Sequence, residues 1–206
     1  DATSIARAYL SGQAKVVWTP TAQAAERREI FFAHRDAVKD SVRARNRIWA
    51  LLNARGLLGD RRRREGSRHG GIDLSRPDAL HRLLRLQGWS IAQQARLCDD
   101  FESYQSAERR RKRLESTIAK TVMEDPATLK LVRLCGIRHL TAFALLAFID
   151  QVERFAGPKS LVRYLGLDPC VSRSGIGGGN GGLTGAGRAD VRALLVEGAK
   201  SVLRSG

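Results

Sequence analysis

The chain has few aromatic residues, and its longest apolar run, around Leu145 to Ile149, is far too short to span a bilayer, for which a helix takes about 20 residues. A membrane anchor is excluded on that ground. Cys98, Cys135 and Cys170 are odd in number, far apart and without a Cys-x-x-Cys pair. That excludes a disulfide framework and a zinc site, and points to small core or loop thiols in a reducing compartment. His34, His69, His81 and His139 are scattered, and there is no His-Glu-x-x-His, no P-loop and no Gly-x-Ser-x-Gly. No complete metal or nucleophile constellation can be assembled from these residues. Nor does the chain open with a signal-peptide pattern. It begins at Asp1 without a methionine and ends directly after a helical run, so the expectation is a piece of a longer protein.

What the sequence does contain is positive charge. Over 206 residues, 36 Lys and Arg stand against 21 Asp and Glu, a net charge of +15. Solubility needs far less, so the excess predicts a polyanionic partner, with nucleic acid favoured over a membrane surface. At 43% hydrophobic residues the chain can bury a core as one large or two small domains.

Periodicity predicts a mainly helical fold. Ala2 to Leu10 places Ile5, Ala6, Tyr9 and Leu10 on one face, with Asp1 as an N-cap; Lys15 to Trp18 is a strand candidate closed by Pro20. Thr21 opens a long helix persisting to Arg55 and ending at Gly56. Phe31, Val38, Arg45 and Leu52 fall seven apart, with Arg35, Val42 and Trp49 between them, a heptad-like seam. Arg43 and Arg47 lie on its other faces. The loop 57–77 carries Arg61, Arg62 and Arg63 between glycines and reads as phosphate-contacting. A short helix from Asp78 to Leu86 precedes a second long helix from about Ser90 to Met123, with apolar positions Ile91, Ala95, Cys98, Phe101, Leu114, Ile118 and Val122. Its middle, Arg109 to Arg113, is too charged to be buried all round, and Asp99, Asp100 and Glu102 read as solvated partners of neighbouring arginines. The two long helices predict an antiparallel hairpin or a dimerising coiled coil.

After Thr128 come two short helices joined by Cys135-Gly136-Ile137-Arg138. This resembles a helix-hairpin-helix turn, whose amides hold a DNA phosphate, although an ordinary helical corner explains it equally well and Arg138 stands where that motif has a second glycine. Pro158 suits the first turn of the next helix and Gly166 its C-cap. A glycine-dense loop follows, carrying Ser172, Arg173 and Ser174, and a final helix starts near Arg188, Val191 and Arg192. Serine in such a loop is ordinarily a turn former. It becomes a nucleophile toward a phosphodiester when a base takes its proton and cations such as Arg173, Arg188 and Arg192 stabilise the transition state. No general base is evident nearby.

The order of these features resembles the transposase family of insertion sequence 110 and its relatives 116 and 902, RNA-guided recombinases with an N-terminal RuvC-like domain and a C-terminal serine domain. The resemblance rests on Leu134-Cys135-Gly136-Ile137, Thr141-Ala142, Arg154-Phe155, Leu161 to Tyr164 with Leu165-Gly166-Leu167-Asp168-Pro169, Ser174-Gly175, and Val191 to Leu195 with Ala199. Upstream, Asp1-Ala2, Ile5-Ala6, Val16-Val17, Pro20 and Arg45-Asn46-Arg47-Ile48 also fit. It implies a RuvC-like remnant over 1–20, a coiled-coil arm over 21–125 and a compact helical transposase domain over 126–206. By the same implication Ser174 is the nucleophile, and Asp1 is the last acid of a magnesium-binding set. DNA and a structured guide RNA are the partners, the helical arm joins copies into a homo-oligomer, and the location is cytoplasmic, at the bacterial or archaeal nucleoid. The family's other three acids and its lysine and asparagine near the last helix do not appear, Gly185 and Arg188 standing in the latter places. The expectation is therefore that this chain alone is inactive. A non-catalytic nucleic-acid-binding module and a dimerisation scaffold are the alternatives.

Overall fold

The computed structural model describes residues 2–13, 18–57, 73–86, 88–171 and 180–205. The described chain is mainly helical: α1 (Ala2–Leu10), α2 (Ala22–Ala54), α3 (Ala79–Leu84), α4 (Ile91–Glu124), α5 (Pro126–Val132), α6 (His139–Ile149), α7 (Pro158–Tyr164) and α8 (Ala189–Ser205), with one small sheet of β1 (Pro169–Val171) and β2 (Asn180–Leu183). Polar caps set several starts. The Thr21 hydroxyl accepts from the Ala24 amide, Ser90 and Gln93 form a capping box at α4, and Asp125 accepts from Ala127 ahead of α5. Of the strand candidate at Lys15 to Trp18, the first three residues lie outside the described residues; Trp18 is not in a strand.

The chain divides into two compact units, neither contiguous: 1–28 with 144–194, and 29–143 with 195–206. The boundaries drawn from sequence, after 20 and after 125, do not fall at these divisions.

In the second unit α2 and α4 run antiparallel. Their cross-links descend on one helix as they ascend on the other: His34 with Glu115 at 3.4 Å, Asp40 with Arg110 at 2.7 Å, the Ser41 hydroxyl donating to Glu108, and Arg47 to Asp100. Ile48, Leu52, Leu97 and Phe101 are almost wholly buried between them, together with Leu83 of α3. Each such side chain contributes about 1.5–3 kcal/mol. Arg111 forks onto Glu108, and those hydrogen bonds hold the Glu108 carboxyl below the ordinary carboxylate range against the opposing effect of burial. Trp89 donates its indole N–H to Leu83 O at 2.9 Å, and the Arg55 guanidinium stacks on its ring at 3.9 Å.

The seam follows the predicted heptads only in part. On α2 Phe31, Trp49 and Leu52 are buried as predicted, but the line also takes in His34, Ala37, Ser41, Ala44 and Ile48, and Val42 is exposed. On α4 it runs through Leu97, Asp100, Phe101, Tyr104, Ala107, Ile118 and Val122; Ile91, Ala95 and Cys98 are exposed. Asp100, expected to be solvated, is 3% exposed and accepts from Arg47, with Arg96 3.8 Å away. A carboxylate can be buried there because two cations compensate it. All three cysteines are free and exposed rather than in the core.

The turn between α5 and α6 meets the second half of α8 backbone to backbone. Gly136 has φ +81°, and a Cβ there would lie 2.8 Å from Gly198 O; a Cβ on Gly198 would lie 2.2 Å from Gly136 O. Only a glycine pair permits that approach.

In the first unit the residues of α6 from Ala144 onward form the core. Ala144, Ala147 and Phe148 are buried with Ala24, Leu165 and Val191. An all-apolar helix segment of this kind is stable only when covered on every side. On α1, Ile5, Tyr9 and Leu10 are exposed.

Candidate functional site

The residues flanking the glycine-dense stretch are built outward from α7. Pro158 occupies its first turn, where a missing N–H costs nothing. Gly166 closes it at φ +70°. Gly166 N–H donates to Arg163 O at 2.9 Å and Leu167 N–H to Val162 O at 3.0 Å, the paired bonds of a Schellman cap. Pro169 then opens β1, at the first strand position, where its lack of a donor is tolerated. From the sequence alone this region reads as loop. Instead β1 pairs antiparallel with β2, Pro169 opposite Leu183 and Val171 opposite Asn180, with an irregularity between the two pairs. Thr184 N–H donates to Asp168 O at 2.9 Å, continuing the pairing.

The segment between β2 and α8 folds back on the α7 cap. Arg188 N–H donates to Tyr164 O at 3.0 Å. The Arg192 guanidinium donates to Gly185 O at 3.2 Å and Gly166 O at 3.4 Å. The Arg188 amide thus satisfies an unpaired carbonyl at the end of α7, and the Arg192 cation stands near the negative end of that helix. Arg188 also donates to Asp190 at 2.8 Å and lies over the Phe148 ring at 4.0 Å.

A second cluster fixes the end of α6. Phe148 O accepts from Arg154 at 2.9 Å and from the Tyr164 hydroxyl at 2.9 Å; Ile149 O accepts from Arg154 Nε at 3.0 Å. The Arg154 guanidinium sits 4.0, 4.4 and 4.6 Å from the Trp18, Phe155 and Tyr164 ring centres. Next to it Asp150 takes the left-handed conformation, φ +57°. Its carboxylate accepts from the Thr21 amide at 3.0 Å and hydroxyl at 2.9 Å, at the start of α2.

The sequence-assigned residues divide accordingly. Asp1, Ser172, Arg173, Ser174, Arg61, Arg62 and Arg63 lie outside the described residues. Arg188 and Arg192 come together beside the strand pair, held by the contacts above. Gly136, Arg138, Arg43 and Arg47 belong to the other unit. There Arg138 is exposed, Arg43 stands 3.5 Å from Asp40, and Arg47 is bonded to Asp100. Gly136 presents its Cα to the α8 backbone. Arg154 and Tyr164, which the sequence marks only as motif residues, cap α6. Asp150 carries no expectation from the sequence, although an Asp directly after an apolar helix is one of the few residues that tolerate the left-handed conformation found there.

The chain is similar to known transposases over part of its length. Residues 130–206 match the model of the Transposase IS116/IS110/IS902 family. The chain is also similar to the transposase y4qE of Sinorhizobium fredii, with 28% identity over 200 residues. That alignment takes in 96% of this chain and 45% of the relative, so the chain spans less than half of its relative's length. No solved structure matches. No described helix is long and apolar enough to cross a membrane.

Proposed function

We propose that the chain forms part of a DNA transposase that cleaves and rejoins DNA strands through Ser174. The Ser174 oxygen attacks a backbone phosphorus, an Oγ–P bond forms, and a phosphorus–sugar oxygen bond breaks. The serine proton passes to the departing sugar hydroxyl. One phosphodiester replaces another, so the bond energy is retained and a second hydroxyl can reverse the step on a new strand. The observation that carries this reading is the matched segment itself: it runs through Ser174 and takes in all of α8, so it includes β1, β2 and the α7–α8 clamp that flank the serine in sequence.

Choice of DNA site by a structured guide RNA, pairing of copies through the α2–α4 arm and a RuvC-like origin for residues 1–20 belong to the same reading. So does the net charge of +15, which suits backbone contact. Among the described residues no three of His, Cys, Asp and Glu are placed to hold a metal ion. They supply no set that fits magnesium.

The test is Ser174→Ala in the full-length protein, assayed for strand cleavage and for DNA binding separately. Loss of a nucleophile lowers cleavage by about 10³-fold or more while binding stays within about twofold. Unchanged cleavage removes Ser174 from the chemistry. The alternative, a non-catalytic nucleic-acid-binding module, draws on one observation: Arg188 and Arg192, the cations assigned to the transition state, already hold internal partners. It requires that no covalent protein–DNA adduct be trapped from the unsubstituted protein.

A further inference from the structure

The five consecutive cations of α4 do not share one environment. Arg110 turns to Asp40 of α2 at 2.7 Å, and Arg111 turns to Glu108 and Glu115 at 2.8 and 2.6 Å. Arg109, Lys112 and Arg113 are exposed, and Lys120 follows on the same side. Spacings of three, four, seven and eleven put all four on one helix face. That face is opposite the one carrying Ala107, Ile118 and Val122, which are buried. From Arg109 to Lys120 it extends about 16 Å at the helical rise of about 1.5 Å per residue. No acid stands among them on that face; the two between them in sequence or beside them, Glu115 and Glu108, are held by Arg111, though Lys112 still contributes to the field at Glu108.

The outer cations of α2 differ. Arg35 and Lys39 both approach Asp36, and Arg43 approaches Asp40. On α2 Arg35, Lys39 and Arg43 each have a carboxylate within 4 Å, so their fields are partly cancelled; on α4 the four cations add.

We propose that the outer face of α4, through Arg109, Lys112, Arg113 and Lys120, binds the phosphate backbone of a nucleic-acid duplex without reading its sequence. Between Arg109 and Lys120 the other exposed side chains on this face are Ser116 and Thr117, and the Thr117 hydroxyl donates to Arg113 O; Glu102 and Glu124 lie on the same face only beyond its two ends. Nothing there offers the paired donor and acceptor that base edges require, whereas a straight row of cations suits the regularly spaced charges of a backbone. The inference rests on the nucleic-acid reading given above and concerns grip, not strand chemistry.

The test replaces all four residues by alanine in the full-length protein. Binding to an arbitrary DNA duplex, a scrambled DNA duplex and an RNA duplex is followed across a salt series. The slope of log affinity against log salt becomes shallower by about 2–4, near 0.9 for each phosphate no longer neutralised. The change is the same for both DNA sequences. If it appears for only one of the DNA and RNA arms, that arm is the source of the phosphates. Unchanged helical circular dichroism and melting show that the fold is intact, and Lys39→Ala with Arg43→Ala, which remove compensated cations, change the slope by less. An unchanged slope in every arm overturns the proposal, as does a loss confined to one DNA sequence. Because cleavage by Ser174 is scored separately, failure here leaves the nucleophile assignment standing, and the reverse holds too.

Discussion

Asp150 adopts a backbone conformation that costs a residue with a Cβ about 1 kcal/mol or more, least for Asn and Asp. What offsets that cost is its carboxylate, which takes both polar hydrogens of Thr21 where α2 begins and faces the positive end of the helix dipole. The two contributions separate by substitution. Asp150→Asn keeps the tolerated backbone and one oxygen acceptor; Asp150→Gly relaxes the backbone but loses both bonds; Asp150→Ala loses the bonds and keeps the strain. Urea unfolding is expected to rank them in that order, with alanine costing about 2–3 kcal/mol. If glycine proved as stable as asparagine, the hydrogen bonds would contribute nothing. Cations follow the same logic of local partners. Arg47, Arg188 and Arg192 look alike in a basic sequence, yet one neutralises a buried carboxylate and two close the α7–α8 clamp.

Helix ends were the most legible elements, because their chemistry is local: Thr21, Ser90, Pro158 and Gly166 each act within one turn of themselves. The seam between α2 and α4 was legible only in part: Phe31, Trp49, Leu52, Phe101, Ile118 and Val122 are buried as the apolar pattern predicts. A search for apolar heptads favours Val42 and Cys98, whereas the contact uses Ala37, Ser41, Ala44 and a compensated Asp100, which are small or polar. Close helix approach rewards small size, and burial of a charge is decided by a partner some fifty residues away, neither of which periodicity reports. The β1–β2 pair escaped for a related reason, since Asn180, Gly181 and Gly182 have low strand propensity and the pairing comes from the other chain segment. Of the site itself, the motif order located the region, but only the tertiary contacts show what Arg154 and Tyr164 do there.

The crossing of α8 over the α5–α6 turn gives a sign prediction at this scale. Alanine in place of a mid-helix glycine ordinarily stabilises by about 1 kcal/mol. At Gly198 the new Cβ meets a carbonyl oxygen at 2.2 Å, and rigid backbone on both sides must separate. Gly198→Ala is therefore expected to lower the melting temperature, and a rise would show that the approach is not tight in solution.

At the scale of the whole molecule, the charge is not spread evenly over accessible sites: pairs and carbonyl contacts occupy much of it, and an unopposed share stands on the outer face of α4. The non-contiguity of both units matters equally. Trp18 and Thr21 complete a cluster whose other members lie between Phe148 and Tyr164. The Thr21–Asp150 link alone spans 129 positions.

That long span sets an order of events on the ribosome. Synthesis releases Trp18 and Thr21 long before α6 exists, so they wait uncovered while α2 and α4, whose contacts need only the residues between them, can already pair. Refolding from denaturant should show the same sequence in hydrogen-exchange labelling: amides within 34–52 and 97–118 become protected first, and those of Thr21 and Arg154 later. Simultaneous protection would mean that the two ends of the chain find each other without waiting for the arm.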